Sequence, residues 1–180
     1  VQTQTGTARP VLRYGQPLLH RTCAPVTSFD AELERLVADM FASMYVAEGV
    51  GLAANQIGVG LRVFVYDCPD SSGEHQVGHI VNPVLRMASG LAPSVTMAEA
   101  CLSVPGQQAD LTRAAVATVD GVDVRGSAIT VTGTGVLAQC LQHETDHLEG
   151  IVYVDRLPDK QRAAILSAAG LPTAPPGRVS

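Results

Sequence analysis

The pentapeptide His143-Glu144-Thr145-Asp146-His147 works as a unit only if it is wound into a helix. Four residues are about one turn at 3.6 residues per turn, so both imidazoles then reach one point with a carboxylate beside them. The flanking residues predict such a helix from about Val136. Leu137, Leu141, Glu144 and Leu148 share one face at the helical period, with Cys140, His147 and His143 progressively further round its flank. H-E-x-x-H in this setting is the pattern of a hydrolytic metal site.

A metal that does chemistry typically has three protein ligands and one open position. Downstream the sequence offers little. The metzincin continuation is matched as far as Gly150, but Tyr153 stands where the third histidine belongs. Beyond Glu149 the only acids are Asp155 and Asp159, both too close behind the helix to return as a distant ligand. The third ligand is therefore expected upstream. There, Glu99-Ala100-Cys101-Leu102-Ser103 supplies a cysteine, a strong ligand for a soft or borderline cation once deprotonated. Further up, Gly49 to Gln56 is a small, glycine-rich segment that ends in an amide.

Taken in order, GVGLAANQ, EACLS and QHETDH resemble the three signature segments of bacterial-type peptide deformylases: G-x-G-L-A-A-x-Q, E-G-C-L-S and Q-H-E-x-D-H. The general resemblance runs from about Val11 to Leu157. It implies an α+β fold of mostly antiparallel sheets around a central helix carrying H-E-x-x-H. It also implies one divalent metal held by Cys101, His143 and His147: ferrous iron, with nickel, cobalt or zinc as substitutes. On ligand softness and geometry alone, the same three residues suit zinc.

The implied reaction is removal of the formyl group from an N-formylmethionyl peptide, releasing formate. Glu144 would serve as general base and acid, with the Gln56 side-chain amide and the Leu102 backbone N–H as oxyanion donors. Val50 and Gly51 would hold the peptide as an added strand, and Val50, Val136 and Cys140 would form the methionine pocket. Ala100 departs from the motif, adding a methyl group beside Cys101 where glycine is usual. Gln139, near the expected side-chain pocket, and Gln108, near its rim, stand where relatives often carry an aliphatic residue and an arginine.

Each feature also has a plainer reading. The histidines would cap hydrogen bonds at the core boundary, Cys101 would be a small buried hydrophobe, and Gln56 would satisfy loop backbone. The ordered joint occurrence of the three segments disfavours that reading. A peptidase cutting internal amides and a non-catalytic metal-binding protein are the rival functions. Asp146 either orients a ligand or braces the fold through Arg113, while His20, His75 and His79 read as surface or loop histidines.

With 180 residues, 46% of them hydrophobic, the chain can bury one substantial core. A net charge of −5 argues against nucleic acid as a main partner. No apolar run approaches the roughly 20 residues of a membrane span. Cys23, Cys68, Cys101 and Cys140 are widely spaced without a C-x-x-C pair, which fits a reducing cytoplasm. The resemblance adds a monomer, with the ribosome near its exit tunnel as a partner. The chain begins at Val1 and not at methionine, which leaves a removed leader open.

Along the chain, residues 1–10 read as a flexible arm, 11–170 as a single metal-hydrolase domain and 171–180 as a loose tail. Asp30 is placed to cap a helix over Ala31 to Val46, and Gly49 and Gly51 to end it and begin a loop. Leu61 to Asp67 and Ile80 to Leu85 read as strands, the second put at an edge or bend by Pro83. Ala114 to Val122 and Ala128 to Thr132 read as a strand pair.

Overall fold

The computed structural model describes residues 5–70, 72–86 and 92–174. Helix α1 (Ala31–Val46) begins at Asp30, whose carboxylate accepts the backbone N–H groups of Glu32 and Leu33 at 3.0 and 3.2 Å. This satisfies two donors that the first turn would otherwise leave open. The helix closes with Glu48, not glycine, in the left-handed region (φ 58°), and the Gly49 N–H reaches back to the Met44 carbonyl at 2.9 Å.

Gly49 and Gly51 serve close approach instead. A Cβ on Gly49 would lie 2.7 Å from Leu102 Cδ1, and one on Gly51 would lie 2.8 Å from Cys140 Sγ. The expected loop is in fact a short strand, β1 (Gly51–Ala53).

Strands β2 (Val63–Pro69), β3 (His75–Arg86), β6 (Val116–Val122) and β7 (Ala128–Thr134) complete a five-stranded antiparallel sheet in the order β1-β2-β3-β6-β7. In β2, Phe64, Tyr66 and Cys68 join one core cluster while Val63 and Val65 join another. Successive strand side chains face opposite sides, so both faces of the sheet are covered. Leu33, Leu36, Val37, Met40 and Met44 of α1 pack in the Val63–Val65 cluster. The opposite cluster holds Leu137, Ala138, Leu141 and Leu148 of α2 (Gly135–Leu148).

A separate hairpin, β4 (Ser94–Cys101) with β5 (Val104–Ala114), and helix α3 (Asp159–Ala168) contribute Cys101, Val104, Ala109 and Leu166 to a third cluster with Tyr14, Val152, Tyr153 and Val154.

Pro83 lies in the middle strand of the sheet, so the edge alternative is corrected and the bend is what is found. The β3–β6 register shifts between Val81 and Val84, and Asn82 takes a φ of 51°. The Asn82 amide exchanges two hydrogen bonds with the Val26 backbone, 2.8 and 2.9 Å. A bulge thus absorbs the missing proline N–H.

Within residues 1–10, Thr7 and Arg9 contact α1. Asp39 is buried on α1 and takes the Thr7 N–H at 2.8 Å and the Arg9 guanidinium at 2.6 Å, while the Arg9 N–H reaches Ser43 Oγ at 2.9 Å. A buried carboxylate requires such donors, and they draw residues 7–9 onto the helix. Of the expected tail, Leu171 packs on the third cluster, and residues 175–180 lie outside the described residues.

Among the three other histidines, His75 is exposed and meets Asp67 at 2.7 Å. His20 is buried edge-on against Tyr14, so its surface reading is corrected. His79 is partly buried and accepts the Val124 N–H at 3.1 Å.

The chain leaves α2 through Gly150, which has a φ of 74° and donates its N–H to the His147 carbonyl at 3.1 Å. A Cβ there would lie 2.7 Å from the Arg21 backbone nitrogen. Gly150→Ala combines a left-handed penalty of about 1–2 kcal/mol with overpacking against backbone. Urea unfolding is expected to show a loss of about 2 kcal/mol or more. A loss under about 0.5 kcal/mol, the range of a neutral surface change, would refute the anchoring role.

Candidate active site

The i, i+4 spacing on α2 brings the two imidazole Nε2 atoms within 3.2 Å of each other. Cys101 arrives from the end of β4, its Sγ 3.2 Å from His147 Nε2, and the three donor atoms all lie within 4.8 Å of one another. Tetrahedral ligands at bond lengths of about 2.0–2.3 Å stand roughly 3.3–3.6 Å apart, so one thiolate and two imidazoles at these separations fit a single cation. All three residues are buried. The Cys101 sulfur also receives the Ser103 N–H at 3.4 Å and the Gln56 Nε2 at 3.6 Å.

Glu99 lies two residues before Cys101 on β4, where the period of two puts both side chains on one face. Its Oε1 meets His143 Nδ1 at 2.6 Å, which turns Nε2 toward the cluster. Arg113 binds Glu99 through two nitrogens, 2.8 and 2.6 Å, and reaches Asp146 through a third at 2.9 Å. Asp146 is in turn bound twice by Arg156, both at 2.6 Å. Burial works against the Glu99 carboxylate, but Arg113 and His143 outweigh it and hold its pKa at about 2.

Burial also opposes charge on His143, yet Cys101 and Glu99 push its pKa well up. The fully buried His147, by contrast, is pushed well down and stays neutral. Glu99 and Cys101 thus favour a positive charge beside His143, which a bound cation would supply.

Glu144 faces the same space without being part of the donor set. Burial pushes its carboxyl up to about 7, with His143 pulling the other way, and Oε2 has no protein partner among the described residues. A carboxyl titrating near neutrality is suited to taking and returning a proton. Gln56 is fixed by its own Oε1, which accepts the Ala53 N–H at 2.9 Å, so that Nε2 points toward Cys101 and Ser103 Oγ.

These groups open onto a cleft of about 810 Å³. The family model for polypeptide deformylases matches residues 8–163 of the chain. The chain belongs to the polypeptide deformylase family.

It is 52% identical over 161 residues to peptide deformylase 2 of Streptomyces coelicolor, covering 89% of each chain. It is 54% identical over 160 residues to peptide deformylase 1 of Streptomyces avermitilis, covering 88% of this chain and 74% of that one. The fold resembles the crystal structure of peptide deformylase from Ehrlichia chaffeensis in complex with actinonin, with a TM-score of 0.82 at 32% identity over 90% of this chain and 95% of that one.

In this member of the deformylase family, the cleft is lined by Val50, Gly51, Gln56, Ala100, Cys101, Leu102, Gln108, Val136, Gln139, Cys140, His143 and Glu144. His147 is fully buried and is not among the residues that line the cleft. Gln139 is partly buried and donates to the Ala98 carbonyl at 3.1 Å. Ala100 lies in extended strand with no positive φ, which explains why a residue with a side chain is accepted in place of glycine.

Tyr153, found where a metzincin has its third histidine, stacks its ring on His143 at 6.3 Å between centroids. Glu99, Ser103, Asn55, Tyr153 and Arg156 were not assigned roles from sequence. Asn55 holds the α2 backbone by donating to the His147 carbonyl at 2.6 Å. The E-x-C spacing of alternating strand residues was the available signal for Glu99; Tyr153 and Arg156 had none.

Proposed function

We propose that the cleft removes the formyl group from N-formylmethionyl nascent peptides, releasing formate and a free amine, with one divalent cation held by Cys101, His143 and His147. The observation that carries the reading is a three-donor cluster with an unshared, neutral-range carboxyl, Glu144, beside it and off the donor set. When bound, the cation supplies a Lewis acid that acidifies water and polarises the formyl oxygen.

Glu144 takes a proton from the attacking water and later hands it to the departing nitrogen as the C–N bond breaks. Gln56 Nε2 and the Leu102 N–H stabilise charge as it develops on the formyl oxygen. Strand β1 is at the open edge of its sheet, next to Val50, so a peptide can add there through backbone hydrogen bonds. Val50, Val136 and Cys140 line the side accepting the methionine side chain, with Ala100 and Gln139 beside them and Gln108 at the rim.

The resident metal is proposed to be ferrous iron, with nickel, cobalt or zinc able to occupy the site. Residues 11–170 act as one domain, as a monomer in the cytoplasm, with the ribosome's exit-tunnel region as the source of substrate. No helix among the described residues is long and apolar enough to cross a membrane.

Formate release from a formyl-methionyl peptide, measured beside internal cleavage of an unformylated one, tests the function. Cleavage of the second without formate from the first would establish the peptidase instead. For the metal, protein loaded with iron under argon is expected to be the faster form, to lose activity in air and to recover with nickel or cobalt. A zinc form equally fast, with neither form sensitive to oxygen, would refute the iron assignment.

A further inference from the structure

We propose that Arg156 is a positioning residue for the cation site, acting through Asp146, Arg113 and Glu99 on His143. The four side chains form an unbroken sequence of alternating charge from protein surface to metal ligand. Glu99, Arg113 and Asp146 are buried, whereas the Arg156 side chain is 43% exposed. Arg156 is thus the outer end of the series.

The order of contacts gives it leverage. Arg156 engages both Asp146 oxygens, with Nε on Oδ2 and Nη2 on Oδ1, each at 2.6 Å. Asp146 Oδ2 also takes Arg113 Nη1, at the longer distance of 2.9 Å. Arg113 gives its remaining two contacts to Glu99, whose Oε1 is shared with His143 Nδ1.

Two carboxylates and two guanidinium groups balance. Without Arg156 the buried group carries one excess negative charge, and Arg113 becomes the sole cation for two acids. Drawn toward Asp146, it loosens the bidentate grip that fixes Glu99, and with it the direction of the His143 ring.

The same segment touches the ligand a second time. Arg156 closes the short 3-10 helix Tyr153–Arg156, and Tyr153 stacks on His143 with an interplanar angle of 24°. Loss of the Arg156 clamp would free both contacts at once.

The inference rests on the three donors holding a divalent cation, so the test begins with native protein taking up one zinc or one cobalt(II) per chain. Absence of stoichiometric uptake would overturn the cation reading and this inference with it. Given uptake, competition with a chelator and the visible spectrum of the cobalt form are compared between native protein and Arg156→Gln. The expected result is an about tenfold weaker zinc affinity, with altered cobalt bands and partial rescue by Arg156→Lys.

The control is Arg62→Gln, which removes an ion pair with Glu149 at the same end of α2, 2.7 Å, without touching the series. Arg62→Gln is expected to hold zinc as native does. Native-like affinity and cobalt spectrum in Arg156→Gln, or an equal loss in Arg62→Gln, would overturn the proposal.

Discussion

Glu144→Ala is expected to lower kcat by about 10²- to 10⁴-fold while metal content stays at one per chain, because the carboxyl moves protons and is not among the donor atoms. The structure adds a second expectation of opposite sign. Glu144 is 3% exposed, and one of its oxygens has no protein partner among the described residues, so folding leaves a polar group undercompensated. Removing it is expected to leave thermal stability unchanged or raised, the trade seen where a site is kept strained for activity. Formate release, metal analysis and a melting curve on one preparation check all three. Loss of the metal, or activity within a few-fold of native, would contradict the assigned role.

Gln56→Ala carries the next largest effect, about 2.7–4 kcal/mol in the transition state, read as a 10²- to 10³-fold fall in kcat with little change in KM. The sequence alone predicts an intact fold, but the structure predicts a cost. Gln56 Oε1 accepts the N–H of Ala53, a residue with no exposed surface, and an orphaned buried donor costs about 1–3 kcal/mol. The two losses separate experimentally, since one is read in turnover at saturating substrate and the other in denaturant. A rise in KM with unchanged kcat would count against the oxyanion role.

The site was legible where chemistry follows local periodicity. His143 and His147 declare themselves by helical spacing, and Asp30 caps α1 as its residue type requires. What failed to show was long-range or weakly patterned. Strand β4 is mostly exposed, so it carries no strong alternation to mark it, and the β4–β5 hairpin that pairs Val95 with Arg113 went unread. Without that hairpin, the contact between Glu99 and Arg113 has no sequence signature. Helix α3 buries only Leu166, too little for a readable stripe. Pro83 misled in one respect because a bulge at Asn82 lets the middle of a sheet accept a proline. The link between Asp146 and Arg113 was one of two open alternatives and is present.

Strand β1 has a consequence for the behaviour of the protein in crowded solution. An exposed sheet edge can pair with any other exposed edge, which is how native sheets begin to aggregate. Here the β1 edge is three residues long and its residues are buried, and the chain turns away from it at once into the 3-10 helix Ala54–Ile57. Three residues are too few to template a second sheet, yet they match the first residues of a single extended chain. At this edge of the sheet, the brevity and burial of β1 together deny purchase to another copy's strands.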